Sequence, residues 1–196
     1  MADGSGTEEL LLESGAWKFP TDWSADGRYV AYNQIDLKGK TKSDLWILPL
    51  FGDRKPFAFL QTESNELWSR FSPDGRWIAY CSDESEREEV YVAPFQGPGA
   101  KLQISTTGGR NPVWRRDGQA LFYMAGDDRL MMAEVRQKGP TLEMGVGHPL
   151  FPTYPARFRG THDVSPGGER ILVNTAAAGS SAPLTLVINW TADMHR

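Results

Sequence analysis

The stretch Phe71-Ser-Pro-Asp-Gly-Arg-Trp-Ile-Ala-Tyr80 decides how the chain folds. Pro73 presets φ for a turn, the Asp74 carboxylate can bond the backbone two residues on, and Gly75 accepts the positive φ that other residues resist. The run after the turn, Trp77-Ile-Ala-Tyr80, mixes aromatic, β-branched and small residues without polar alternation. A strand covered on both faces has that composition. Two strands joined by a tight turn are therefore expected, in a sheet held between neighbouring sheets.

The pattern recurs as Trp23-Ser-Ala-Asp-Gly-Arg-Tyr-Val-Ala-Tyr32, Trp114-Arg-Arg-Asp-Gly-Gln-Ala-Leu-Phe-Tyr123 and Val164-Ser-Pro-Gly-Gly-Glu-Arg-Ile-Leu-Val173. The central glycines, Gly27, Gly75, Gly118 and Gly168, lie 48, 43 and 50 residues apart. A period of about 40 to 50 residues marks the blades of a β-propeller. Each turn is followed by a second apolar strand: Leu45-Trp-Ile-Leu48, Val90-Tyr-Val-Ala93, Leu130-Met-Met-Ala-Glu-Val135 and Leu184-Thr-Leu-Val-Ile188. A third follows in the first three repeats at Phe57–Leu60, Lys101–Ile104 and Pro149–Phe151. The fourth repeat stops at Trp190, and the chain begins with the unassigned apolar run Leu10-Leu-Leu-Glu13. The expectation is an all-β propeller of four four-stranded blades forming one domain over 1–196. Its blade turns fall near 26–27, 74–75, 117–118 and 167–168. An N-terminal strand at 10–13 would complete the last blade and cover its edge.

Composition narrows the function classes. A formal net charge of −4 argues against a nucleic-acid partner bound through a broad basic face. Cys81 is the only cysteine, so neither an intrachain disulfide nor a CxxC metal or redox pair can form. The N-terminal Met-Ala-Asp-Gly-Ser-Gly-Thr-Glu-Glu carries acids instead of a basic region and does not read as a signal peptide. Nothing in the chain approaches the roughly 20 apolar residues of a membrane helix, and direct membrane insertion is not expected.

The motif Phe71-Ser-Pro-Asp-Gly-Arg-Trp-Ile-Ala-Tyr80 with Asp83-Glu-Ser resembles the TolB-type β-propeller repeat. Five further segments are similar to the C-terminal propeller of bacterial receptor-like serine/threonine protein kinases. They are Val90-Tyr-Val-Ala-Pro-Phe-Gln-Gly-Pro-Gly99, Gln103-Ile-Ser-Thr, Trp114-Arg-Arg-Asp-Gly118, Asp163-Val-Ser-Pro166 and Leu186-Val-Ile-Asn-Trp190. The resemblance spans Leu10 to Trp190 and implies a sensor-like binding domain, placed in the periplasm or otherwise outside the cytoplasm. No Gly-rich phosphate loop, His-Arg-Asp or Asp-Phe-Gly segment occurs, so kinase activity is not carried over.

Repetition explains the most conspicuous side chains. Trp23, Phe71 and Trp114 stand at equivalent positions before their turns and read as core, as do Tyr32, Tyr80 and Tyr123. Asp26, Asp74 and Asp117 are accounted for by their turns, no second oxygen ligand recurs beside them, and the fourth position is Gly167. No metal or cofactor is expected. Residues that break the repeat on the innermost strands say more, because those strands line the central channel. Ahead of the four turns stand the pairs Thr21-Asp22, Ser69-Arg70, Pro112-Val113 and His162-Asp163. The binding candidates are Asp22, Trp68, Arg70, Arg110, His162 and Asp163.

A non-catalytic binding or scaffolding module follows, recognising a protein, peptide or small ligand at one ring face. The alternative is a hydrolase, lyase or peptidase-accessory propeller in which Asp163 orients His162 as a general base, a reading that rests on fold analogy. It lacks a nucleophile: no Gly-x-Ser-x-Gly elbow or HExxH segment exists, and Cys81 reads as a small buried residue. Four blades in an open arc would leave two apolar flanks in water. A homodimer completing an eight-bladed ring is the partner this suggests, with a four-bladed ring closed within one chain, or a fragment of a longer receptor, as the alternatives.

Overall fold

The computed structural model describes residues 8–35, 42–153 and 162–174, and the course of the strand at 184–188. Among the described residues there is no helix, and four antiparallel sheets follow one another along the chain. Blade 1 is β1 (Trp17–Trp23), β2 (Tyr29–Ile35), β3 (Ser43–Pro49) and β4 (Phe57–Leu60). Blade 2 is β5 (Glu66–Phe71), β6 (Trp77–Ser82), β7 (Glu89–Pro94) and β8 (Leu102–Gln103). Blade 3 has β9 (Gly109–Trp114), β10 (Ala120–Ala125), β11 (Arg129–Lys138), β12 (Thr141–Met144) and β13 (His148–Pro152). Blade 4 has β14 (His162–Val164), β15 (Arg170–Asn174) and β16 (Leu184–Ile188).

Each blade is nucleated by the motif that announced it. Gly27, Gly75, Gly118 and Gly168 take φ of 72°, 68°, 72° and 85°. Each donates its N–H at 2.8 Å to the carbonyl three residues back. This is a four-residue turn closed by a left-handed glycine. Asp26, Asp74 and Asp117 each accept the backbone N–H two residues on, at 3.0, 3.1 and 2.9 Å. The serine two places before the aspartate is a further brace: Ser24 and Ser72 hydroxyls accept the N–H of Tyr29 and Trp77 at 2.9 and 3.0 Å. Ser165 does the same for Arg170 at 3.0 Å, which holds the fourth turn together where Gly167 replaces the aspartate.

The second strands of blades 2 and 3, β6 and β10, are buried on both faces, and alternate residues of each second strand face opposite sides of the sheet. Ala31, Leu45 and Ile47 of blade 1 pack on Phe71, Ile78, Tyr80, Tyr91 and Ala93 of blade 2. Trp77, Ala79, Cys81, Val90 and Val92 of blade 2 pack on Trp114, Leu121, Tyr123, Ala133 and Val135 of blade 3. Ala120, Phe122, Met124 and Leu130 of blade 3 pack on Ile171 and Val173 of blade 4. The innermost strands β1, β5, β9 and β14 touch in succession, so the four sheets fan out about a common inner side.

Three expectations need correction. Leu10–Glu13 forms no strand; Leu10 is 76% exposed, and Glu9 pairs with Arg54 in the β3–β4 loop, at blade 1 instead of blade 4. The acids flanking the leucines keep this run in water, and blade 4 has three strands among the described residues. Blade 3 gains the unforeseen β12, because β11 runs on to Lys138 and turns back at Gly139, φ 60°, before β13 pairs with the first half of β11. Trp23 is not core: it is 59% exposed, whereas Phe71 and Trp114 are 6% and 9% exposed.

Candidate functional site at the inner strands

The innermost strands share a local irregularity. Pairing slips between Pro20 and Asp22 in β1, between Leu67 and Arg70 in β5, and between Arg110 and Val113 in β9. Trp68 and Asn111, each three residues before the turn aromatic, take positive φ of 60° and 52°. Bulges re-aim side chains, and left-handed backbone at a bulky residue is strained and concentrates at ligand sites. Here they turn three-residue patches of each strand toward the common inner side.

That inner side encloses a cavity of about 360 Å³ to which all four blades contribute. Phe19, Ile35, Leu67, Trp68 and Val113 make its wall apolar, and Thr21, Arg70, Asn111 and His162 place polar groups on it. A second hollow of about 360 Å³ lies toward the turn ends of the same strands, lined by Asp22, Trp23, Arg70, His162 and Asp163 among others. Arg70 and His162 belong to both.

Hydrogen bonds tie the inner strands to each other and fix the rim. Arg70 Nη1 donates to the Thr21 carbonyl at 2.9 Å and lies 3.6 Å from the Asp22 carboxylate. Asp22 Oδ2 accepts the Phe71 N–H at 2.7 Å, and Trp114 Nε1 donates to the Arg70 carbonyl at 3.2 Å. Burial pushes the Asp22 carboxyl above its usual value, against the pull of the Phe71 N–H and Arg70. His162 is 7% exposed, and burial, followed by the Arg70 charge, pulls its imidazole down to about 4. It is neutral near pH 7, with neither ring nitrogen hydrogen-bonded among the described residues.

Of the six candidates read from sequence, Trp68, Arg70 and His162 line the cavity, and Asp22 and Asp163 join Arg70 and His162 at the second hollow. Arg110 lines neither hollow. Its guanidinium pairs with Asp128 and donates to the Ala125 carbonyl at 3.3 Å, bracing the β10–β11 turn. Asp163 does not face His162 as an orienting partner: its Oδ1 accepts the N–H of Val164 at 2.8 Å. Cys81 is buried, its thiol pushed far above the ordinary range by burial, so it is no nucleophile. Among the described residues no three His, Cys, Asp or Glu side chains stand together to hold a metal.

Sequence reasoning missed Asn33, Ser43 and Asn111. Asn33 and Ser43 reach the cavity from β2 and β3 and donate to the Glu66 carbonyl behind the wall. Glu66 is 1% exposed, and one of its carboxylate oxygens lacks a hydrogen-bond partner among the described residues. Burial raises its carboxyl to about 7, helped by the charges of Asp44, Glu84 and Asp83 and opposed by the Thr62 hydroxyl. A glutamate at the start of a strand carries no sequence signal for this, because its burial depends on the adjoining blade.

The putative TolB from Agrobacterium tumefaciens superposes with a TM-score of 0.66 at 20% identity, over 92% of this chain and 61% of that one. The chain has the TolB-type propeller fold. A puromycin hydrolase matches with a TM-score of 0.63 at 16% identity over 97% of this chain and 30% of the hydrolase. An oligogalacturonate lyase in complex with manganese matches with 0.63 at 13% identity over 95% and 55%. No protein-family model matches the chain. A Bacillus subtilis protein described as "Uncharacterized peptidase YuxL" is 30% identical over 106 residues, which is 51% of this chain and 16% of that protein. The chain thus spans less than two thirds of each of these relatives.

Proposed function

We propose that this chain is a recognition propeller that holds a peptide or small ligand in the cavity at its inner strands. One observation carries the reading: four blades converge on an apolar cavity whose few polar groups, Thr21, Arg70, Asn111 and His162, come from four different strands. Sites of that make-up bind through the apolar wall and orient through the polar groups. The left-handed Trp68 and Asn111 spend backbone strain on presenting themselves there. The resemblance to receptor-kinase propellers supports a sensing role for the same site.

The test is ligand-observed NMR with a library of short peptides and a library of small polar aromatics. Hits should weaken roughly tenfold or more in Trp68→Ala and in Asn111→Ala, as truncation of groups at the centre of a site does. Hits that bind both variants unchanged would overturn the placement. A second reading, an enzyme site near His162 and Asp163, is favoured by a buried neutral imidazole at the cavity whose ring nitrogens have no hydrogen-bond partner among the described residues. Turnover in esterase, lyase or peptidase panels that vanishes in His162→Gln, with the melting temperature unchanged, would select it over the binding role.

A further inference from the structure

Blade 1 carries, on the side turned away from blade 2, a copy of the surface with which blades 2 and 3 receive the blade before them. In blade 2 that surface is Phe71, Ile78, Tyr80, Tyr91 and Ala93, all buried against blade 1. The repeat puts Trp23, Val30, Tyr32, Trp46 and Leu48 at the same five positions. Strand register agrees, since Tyr32 stands opposite Trp46 as Tyr80 stands opposite Tyr91. Among the described residues no sheet covers this face: Trp23 is 59% exposed and Val30 and Trp46 are half-buried, while Tyr32 and Leu48 are buried at its middle, so the open part is the Trp23 end.

Blade 4 carries the complementary surface. Ile171 and Val173 pack toward blade 3, so alternation turns Leu172 the other way, and it is half-buried. Leu172 holds the position of Phe122, which is fully buried beneath blade 4. Asp163 holds the position of Asp22, whose carboxylate grips the N–H of Phe71 in the following blade. The same relation, moved on by one blade, would give the Asp163 carboxylate the N–H of a Trp23. Trp114 Nε1 on the Arg70 carbonyl likewise foreshadows a Trp23 indole on an Asp163 carbonyl.

From these equivalences we infer that blade 1 of one chain receives blade 4 of a second copy, two chains related by a twofold axis forming one ring of eight blades. Each new interface repeats the contact made three times within the chain, and the twofold buries both flanks at once. The inference is independent of what the cavity binds.

Light scattering on the chain at micromolar concentration should give twice the 21.8 kDa of one copy. Trp23→Asp, at an exposed position, and Leu172→Asp, at a half-buried one, should each fold and raise the dissociation constant by roughly tenfold or more, because a carboxylate would enter an apolar contact. An equimolar mixture of the two variants should associate more tightly than either alone. It contains one wild-type interface, between blade 1 of the Leu172→Asp chain and blade 4 of the Trp23→Asp chain. A monomeric wild type, a dimer indifferent to both substitutions, or open-ended assemblies larger than two chains would each overturn the two-chain ring.

Discussion

Replacing Glu66 by glutamine should change how stability depends on pH, and the expected curve follows from two buried groups of opposite sense. Glu66 is raised from an ordinary 4.5 to about 7, so the folded chain binds its proton more tightly than the unfolded chain does. Stability is therefore lost as pH rises from 4.5 through 7. His162 is lowered from 6.5 to about 4, so the folded chain resists its proton, and stability is lost as pH falls from 6.5 through 4. At about 1.4 kcal/mol for each pH unit between folded and unfolded pKa, either group is worth about 3 kcal/mol. The two windows overlap, and in the wild type the slopes should nearly cancel between pH 4.5 and 6.5. The Asp26, Asp83 and Asp117 carboxyls are held below their usual value and act at more acid pH, while Asp22, raised by burial, adds a little to the Glu66 slope. Glu66→Gln, whose amide oxygen can still accept the Thr62 hydroxyl, should unmask the His162 slope: stability climbing by about 3 kcal/mol from pH 4 to 6.5. His162→Leu should unmask the reverse. Urea unfolding followed by tryptophan emission reads both. If Glu66→Gln runs parallel to wild type from pH 4 to 8, the carboxyl is not buried as described and the reasoning fails.

Other substitutions test the packing. Phe71→Ala should cost about 3–5 kcal/mol, while Trp23→Ala at the equivalent but exposed position should cost under about 1 kcal/mol in the dilute chain; equal costs would contradict the open flank. Gly75→Ala meets no neighbour, so its penalty of about 1–2 kcal/mol should come from the left-handed backbone alone and should not be relieved by shrinking surrounding side chains. Cys81 should react with a thiol reagent only at the rate of unfolding, and rapid labelling of the native chain would show an opening that the buried strand does not predict.

The turns made the fold legible. An aspartate followed by glycine, set between apolar runs, dictates local chemistry that no packing can disguise, and four copies at one period left few architectures open. The hidden features are those that depend on a neighbour. Trp23, Phe71 and Trp114 are equivalent in sequence, but only the presence of a preceding blade buries the last two. Trp68 and Asn111 adopt left-handed backbone without glycine, so the bulges they sit on had no local signature. His162, Arg70 and Asp22 stood out because they broke the repeat on strands expected to be innermost. Arg110 stood on the same kind of strand, but Asp128 claims its charge, and a partner eighteen residues away is beyond what periodicity reveals.

The three inter-blade cores have an implication for how the chain comes apart. Among the described residues blades 2 and 3 are each gripped on two sides, whereas blades 1 and 4 are each gripped on one, so opening should spread inward from both outer blades. Amide protons of β6 and β10 should exchange last. A protease that clips within blade 4 should leave a resistant remnant centred on residues 66–144, and association with a second copy would slow digestion at both extremities together.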